Sequence, residues 1–288
     1  MIKYNSLILG CARFSGLYGV NSKRHVSLKN IKNICKIHKL NKIDTAINYT
    51  NANQKLREIN IKNFKVSSKI PGYDLSKKTL EKKILNDLSK HLSELRIKRL
   101  DTLYLHNPDQ ILGQNGKKLI LILKKLKNKK IFKKIGLSVY SPKQLKKLLR
   151  VFIPDVVQLP VNVFDRRFLK KDILQKINNN KIEIHIRSIF LQGILLKKFS
   201  KLPKYFYKWK KHFQSWNDWV NNKQLTKVEG CLSVLNLINF RKHLIVGVET
   251  SDQMKEILNS FKVNFTPPVK LSSRNEYLIN PSKWKIKR

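Results

Sequence analysis

Four residues within the first 106 positions have the types and spacing to manage a proton. Asp44 closes a short apolar run in KIDTAINY, Tyr49 follows five residues later, Lys69 ends KVSSKI, and His106 stands in DTLYLHNPD. A phenol is a weak acid at neutral pH, with an unperturbed pKa of about 10. An ammonium beside it stabilises the phenolate and brings that value down. A buried ammonium is itself costly unless a carboxylate holds it. An imidazole at the same spot orients a substrate oxygen or relays a proton. Each residue alone also has a plain structural reading. An Asp at a strand end caps a turn, a loop Tyr packs, a His after an apolar strand is a polar cap, and one Lys among 49 carries little information. Placed together on three consecutive strand ends, they read as one acid device.

The elements that must position them repeat along the chain. Strand-like runs are expected at Leu7–Cys11, Lys42–Ala46, Phe64–Ile70, Leu100–His106, Lys134–Val139, Val156–Val161, Glu183–Ile189 and Leu244–Val248. Amphipathic stretches with apolar residues three or four apart separate them, at Leu28–Leu40, Ser76–Leu95, Gly116–Lys130, Ser141–Phe152, Phe168–Asn179, Val228–Asn239 and Ser251–Phe261, with a weak one near Gln54–Ile59. Ser141-Pro142 is a helix start, with Ser as N-cap and Pro in the first turn. Eight strands alternating with helices predict a (β/α)8 TIM barrel. A doubly wound open sheet uses the same units. Polar residues decide between them, because Asp44, Lys69, His106, Ser138, Gln158, Arg187 and Ser188 lie near the ends of different strands and converge only if the sheet closes. The segment after the first strand, GCARFSGLYG, lacks the G-x-G-x-x-G of a dinucleotide fold. One domain over residues 1–288 is expected, with 262–288 as a C-terminal tail.

Composition limits the function classes. The chain has 288 residues, 41% of them hydrophobic, which is enough for a large core. Cys11, Cys35 and Cys231 form no C-x-x-C pair, so neither a disulfide framework nor a Cys-rich zinc site is expected, and no metal is assigned. No apolar run is long enough to span a membrane and no secretory leader is evident, so a cytoplasmic location is expected. Lys and Arg number 61 against 18 acidic residues, a formal charge of +43. That balance fits a nucleic-acid or polyanion binder. It also fits an ordinary enzyme from AT-rich coding sequence, since 49 of the cations are Lys, spread along the chain, while Ala occurs only at positions 12, 46 and 52. Aromatic residues interleaved with Lys run from Tyr205 to Trp219. Such interleaving suits base stacking. Trp209, Phe213, Trp216 and Val220 also share one helical face, which predicts a packed helix over the barrel.

The sequence resembles the aldo/keto reductase family. Asp44, Tyr49, Lys69 and His106 match its catalytic tetrad in order and context, and the likeness continues through KIGLSVYSP, VVQLPVNVFDRR, RSIFLQGILL, LIVGVETSDQMKEIL and INPSKW. The resemblance implies a barrel that reduces an aldehyde or ketone with NADPH or NADH. Tyr49 would be the general acid, Lys69 and Asp44 would tune it, and His106 would sit on the carbonyl oxygen. It further implies that Ser138 and Gln158 bind the nicotinamide amide, with Asn162 shaping the strand end. Arg187 followed by Ser188 replaces the aromatic residue that stacks on nicotinamide in many members. Leu191, Gln192 and Gly193 would lie near the pyrophosphate, and Gly247, Val248, Thr250 and Gln253 near the adenosine phosphate. Glu249 stands where many members carry a cation for the 2′-phosphate, which argues against NADPH alone. The RSIFLQGILL block is similar to a bacterial branch associated with polysaccharide or sugar-nucleotide pathways, implying a small, sugar-derived carbonyl substrate. No specific nucleic acid is expected as partner. Two rival readings stay open: a polyanion-binding protein, and a non-catalytic NAD(P)H-binding subunit.

Overall fold

The computed structural model describes residues 6–16, 20, 25–37, 40–239 and 242–286. Eight parallel strands follow one another around a closed barrel: β1 (Leu7–Gly10), β2 (Lys42–Asp44), β3 (Lys65–Ile70), β4 (Leu100–Leu105), β5 (Phe132–Ser138), β6 (Val156–Pro160), β7 (Glu183–Arg187) and β8 (Lys242–Val246). Pairing of Leu7, Ile8 and Leu9 with Leu244, Ile245 and Val246 closes the ring. Each strand is covered outside by helices and faces the axis inside, which is why the strands read as near-continuous buried runs.

Helices fill the connections: α1 (Leu28–Cys35), α2 (Thr50–Glu58), α3 (Leu80–Leu95), α4 (Gly116–Asn128), α5 (Pro142–Leu148), α6 (Lys171–Asn179), α7 (Lys210–Asn222), α8 (Lys227–Leu232), α9 (Ser251–Asn259) and α10 (Glu276–Ile279). α3 shows how local sequence sets them. Leu80, Ile84, Leu88, His91 and Leu95 are buried on one stripe, and Arg96, at φ 55°, ends the helix in the left-handed region. α5 starts as its sequence predicts, with the Ser141 hydroxyl accepting from Gln144 N. The stretch expected as one helix over Val228–Asn239 is instead α8 followed by a 3-10 turn at Ser233–Leu237. Ser233 Oγ bonds the Gly230 carbonyl at 2.7 Å there, a side-chain bond that competes with helix continuation.

α7 packs on the barrel by three of the four residues of its expected face, while Trp209 ends the preceding 3-10 turn as the N-cap of α7 and is only half-buried. Phe213, Trp216 and Val220 are buried, and Trp216 Nε1 donates to the Leu195 carbonyl at 3.1 Å. The C-terminal stretch folds back on the body: Arg166 donates to the carbonyls of Pro267 and Pro268, and Trp284 Nε1 to that of Leu278. Among the described residues no helix is long and apolar enough to cross a membrane. Among them also, Lys69 is the one buried lysine, at 4% exposure.

Candidate active site

β2 and β3 carry the charged pair. Gly10 and Asp44 pair across β1 and β2, Asp44 faces Ser67 on β3, and Lys69 pairs with Tyr104 on β4. This register brings the Lys69 ammonium to Asp44 Oδ1 at 2.5 Å, and Lys69 also donates to the Thr45 carbonyl at 2.8 Å. The second carboxylate oxygen, Oδ2, accepts from Gln158 Nε2 at 2.8 Å. A buried ammonium and a buried carboxylate are tolerable only with such pairing and further hydrogen bonds.

Tyr49 reaches the same place through a braced loop. Residues 45–49 leave β2 with Thr45 N bonded to the Ser67 carbonyl and Ile47 N to that of Lys69. Asn53, buried in α2, reaches back: it accepts from Thr45 Oγ1 at 2.8 Å and donates to the Ala46 carbonyl at 3.1 Å. Tyr49 then serves as N-cap of α2, and its ring lies with its centroid 5.7 Å from Lys69 Nζ. His106 stands one residue beyond β4, where its N–H donates to the Ile70 carbonyl at 3.1 Å. Burial, then the positive charges of Lys69 and Arg187, lower its pKa, while Asp44 opposes them. The imidazole is therefore neutral at neutral pH. The structure thus brings Asp44 and Lys69 into contact and sets Tyr49 beside them, with His106 within reach of the Lys69 and Asp44 charges.

The residues expected around a cofactor lie within or just beyond the C-terminal parts of β5 to β8. Ser138 and Gln158 pair across β5 and β6, with Ser138 Oγ donating to Gln158 Oε1 at 3.4 Å, and both are buried. Asn162 acts inside its own turn, accepting from the backbone N–H of Phe164 and Asp165 and donating to the Ser188 carbonyl. Arg187 is occupied: its guanidinium stacks 4.5 Å from the Tyr140 centroid and donates to the Val139 carbonyl at 3.1 Å. Ser188, Leu191 and Gln192 have positive φ, a cluster of strained backbone of the kind found at ligand clamps, and Gly193 follows at φ 85°, which glycine adopts freely. Gly193 has no atom within 4 Å of where a Cβ would stand. Gly247 and Val248 lead to Thr250, whose hydroxyl caps α9 by accepting from Gln253 N at 3.3 Å, while Gln253 Oε1 accepts from Glu249 N at 2.7 Å. Glu249 itself pairs with Arg13, Nε to Oε1, at 2.8 Å.

Sequence reasoning missed Asn53, Arg13, Tyr104 and the floor of the barrel. At the floor, Glu183 Oε1 accepts from His185 Nε2 at 2.9 Å and lies 3.0 Å from His243 Nε2, with Lys134 on Oε2 at 2.8 Å. Burial alone would raise the Glu183 pKa; the hydrogen bonds from these partners outweigh it and hold the carboxyl well below its usual range. The donor atoms of Glu183, His185 and His243 lie within 4.8 Å of one another, close enough to suggest a metal cage. Lys134 on the carboxylate and Lys42 Nζ at 3.2 Å from His243 Nδ1 already bring two ammonium groups. A metal cation would be repelled by both, so the cluster is better described as a hydrogen-bonded anchor. Its sequence signal was the alternation of polar residues in Glu183-Ile184-His185-Ile186-Arg187, which places three polar groups on one face of a strand.

A family model described as the aldo/keto reductase family matches residues 6–269. Comparison with curated proteins found no match. Among solved structures, a glycerol dehydrogenase from Gluconobacter oxydans matches with a TM-score of 0.67 at 16% identity, over 92% of this chain and 88% of that one. An aldo-keto reductase from Bacillus halodurans, solved in its holo form, gives 0.69 at 14% identity, over 90% and 87%. A thermostable aldo-keto reductase solved with the inhibitor epalrestat gives 0.68 at 17% identity, over 92% of each chain. At these identities the structural likeness speaks for the fold.

Proposed function

The chain belongs to the aldo/keto reductase family, and on that premise we propose that it reduces a small, sugar-derived aldehyde or ketone, with Tyr49 as the proton donor and either NADPH or NADH as reductant. The observation that carries this reading is the state of Lys69. A chain with 49 lysines buries this one among its described residues, ties it to Asp44 at 2.5 Å, and sets it 5.7 Å from the Tyr49 ring centroid. A binding protein has no use for that arrangement.

A nicotinamide cofactor suits the residues present and supplies a hydride to the carbonyl carbon when bound. Ser138 and Gln158 offer a hydroxyl and an amide oxygen to its carboxamide, the space over Gly193 leaves room for close backbone approach, and the N-terminus of α9 favours an anion. Negative charge develops on the carbonyl oxygen in such a reduction, and a donor must stand there. Tyr49 gives that oxygen its proton, and the Lys69 ammonium stabilises the phenolate left behind. Asp44 keeps Lys69 in place, and the Asn53 brace keeps Tyr49 in place. His106, neutral through burial and the nearby cations, donates a hydrogen bond to the same oxygen without adding a competing charge.

Tyr49→Phe tests the assignment, because it removes the donor and keeps the ring. Turnover should fall by about 10²–10⁴-fold, while cofactor binding, followed by fluorescence quenching, stays close to wild type. A panel of aldehydes and sugar-derived ketones, followed at the nicotinamide absorbance, supplies the substrate for the assay. Near-normal turnover in the Phe variant would remove Tyr49 from the role.

A further inference from the structure

We propose that Tyr104 and His185 are positioning residues: anchored on Glu183, they fix the amide of Gln158 so that it holds Asp44 against Lys69. The proposal rests on the catalytic reading above for its consequence, but its geometry stands apart from it. The interior of an eight-stranded barrel is ordinarily filled by branched apolar side chains. Here a column of polar groups runs along the axis from the floor to the Lys69–Asp44 pair. Tyr104 occupies its middle, fully buried, with its hydroxyl 2.6 Å from His185 Nδ1. The neighbouring strand makes room for the ring: a Cβ on Gly136 would lie 2.3 Å from Tyr104 Cδ1.

The protons along the column can point only one way. Glu183 is a carboxylate and accepts only, so His185 donates to it from Nε2. Burial lowers the His185 pKa and keeps the ring neutral, which makes Nδ1 an acceptor. Tyr104 must therefore donate its hydroxyl proton downward to Nδ1. With that proton committed, the Tyr104 oxygen is left as an acceptor toward Gln158. Gln158 is the register partner of His185 across β6 and β7, which sets its amide beside the Tyr104 oxygen that His185 holds. Burial and then Asp44 raise the Tyr104 pKa well above its usual range, and the nearby Gln158 amide partly offsets them. The second N–H of that nitrogen reaches Asp44 Oδ2 at 2.8 Å, and Gln158 Oε1 takes the Ser138 hydroxyl at 3.4 Å. A flipped amide would set its oxygen against the Asp44 carboxylate and against a phenol oxygen with no proton to give. Asp44 and the Tyr104 oxygen both call for the amide nitrogen, so Tyr104 reinforces the orientation that the carboxylate sets and leaves Oε1 turned toward Ser138. An amide does not relay protons as an imidazole does, so the column holds the pair rather than conducting to it.

A double-mutant cycle tests this. Tyr104→Phe, Gln158→Met and the double variant are assayed for kcat and KM with a carbonyl substrate, with melting followed by circular dichroism. One lost hydrogen bond of this type corresponds to about three- to tenfold, so Tyr104→Phe should lower kcat by about that factor. In the Gln158→Met background the same change should cost nothing further. A purely structural Tyr104 would cost the same in both backgrounds, and additive losses, or wild-type kcat in Tyr104→Phe, would overturn the proposal. If Tyr104→Phe does not fold, His185→Leu carries the test. It frees the Tyr104 proton to face Gln158, and it should reproduce the loss and the same non-additivity. Tyr49→Phe run in parallel separates the two ideas, since its failure to lower turnover would remove the acid assignment and leave the Tyr104–Gln158 coupling measured on its own.

Discussion

If the proposed cofactor site holds, the choice between NADPH and NADH should turn on Arg13 and Glu249, two paired side chains 236 residues apart in sequence. Glu249 follows β8, and its carboxylate accepts from Arg13 Nε at 2.8 Å; the guanidinium side chain is 6% exposed and the carboxylate 45%. A lone carboxylate beside a 2′-phosphate would repel it, but this one already faces a buried cation. Two neutral substitutions shift the balance in opposite directions. Glu249→Gln keeps the shape and releases the Arg13 charge, while Arg13→Gln leaves the carboxylate uncompensated. Glu249→Arg would be a poorer probe, because it would set one guanidinium against another. For unit charges ~6 Å apart at an effective dielectric of ~40, between bulk water and a protein surface, the interaction is about 1.4 kcal/mol, roughly tenfold. Screening of a half-exposed carboxylate reduces that to about three- to tenfold for each substitution. The assay is kcat/KM for both cofactors, in all three proteins, at one ionic strength. The wild type should use both. The NADPH/NADH ratio should be highest in Glu249→Gln, intermediate in wild type and lowest in Arg13→Gln. Equal ratios in folded variants would refute the reasoning, because the turn after β8 would then not face the ribose.

Two stability predictions follow from the packing. Burial pushes the His91 pKa down to about 4 from 6.5, with Nε2 2.8 Å from Ser68 Oγ, so between those pH values the unfolded chain binds the proton more readily than the folded one. Stability is then complete above pH 6.5 and declines as pH falls toward 4, by about 3 kcal/mol in all; His91→Gln should flatten that part of a urea-denaturation series, and an unchanged slope would exclude His91 as its source. Trp216, 1% exposed and stacked on Trp219 at 5.7 Å between centroids, should cost about 3–5 kcal/mol as Trp216→Ala in chemical denaturation. A loss under about 1 kcal/mol would mean that α7 is not part of the cooperative core.

Much of the barrel was legible because each strand is a local pattern. All eight runs appear in the expected order, with ends displaced by a residue or two, as at His106, which lies just past β4. The interior was less legible because it depends on closure. Gln158 meets Asp44 across 114 residues of sequence, and no local pattern announces that contact. Arg187 illustrates the limit. Its position at the end of an alternating strand predicted a place at the mouth, but its stacking on Tyr140 depends on the loop after β5, two strands away. Asn53 was within reach: a polar residue nine positions after Asp44, on the buried side of a short helix, has to hydrogen-bond something, and the loop between them is what lies nearest.

The burial of Lys69 bears on how this composition is tolerated. A coding bias toward lysine, where one operates, acts on every position alike, but a fold accepts the outcome only where water can reach the ammonium. On the outer helices one more lysine changes little, whereas inside the ring each would need its own carboxylate. The closed barrel therefore works as a sieve, passing such a bias at the surface and stopping it at the wall. A lysine found on the inner side has survived a test that the surface lysines never faced. In a chain this biased, depth in the fold separates the informative cation from the background more sharply than residue type does.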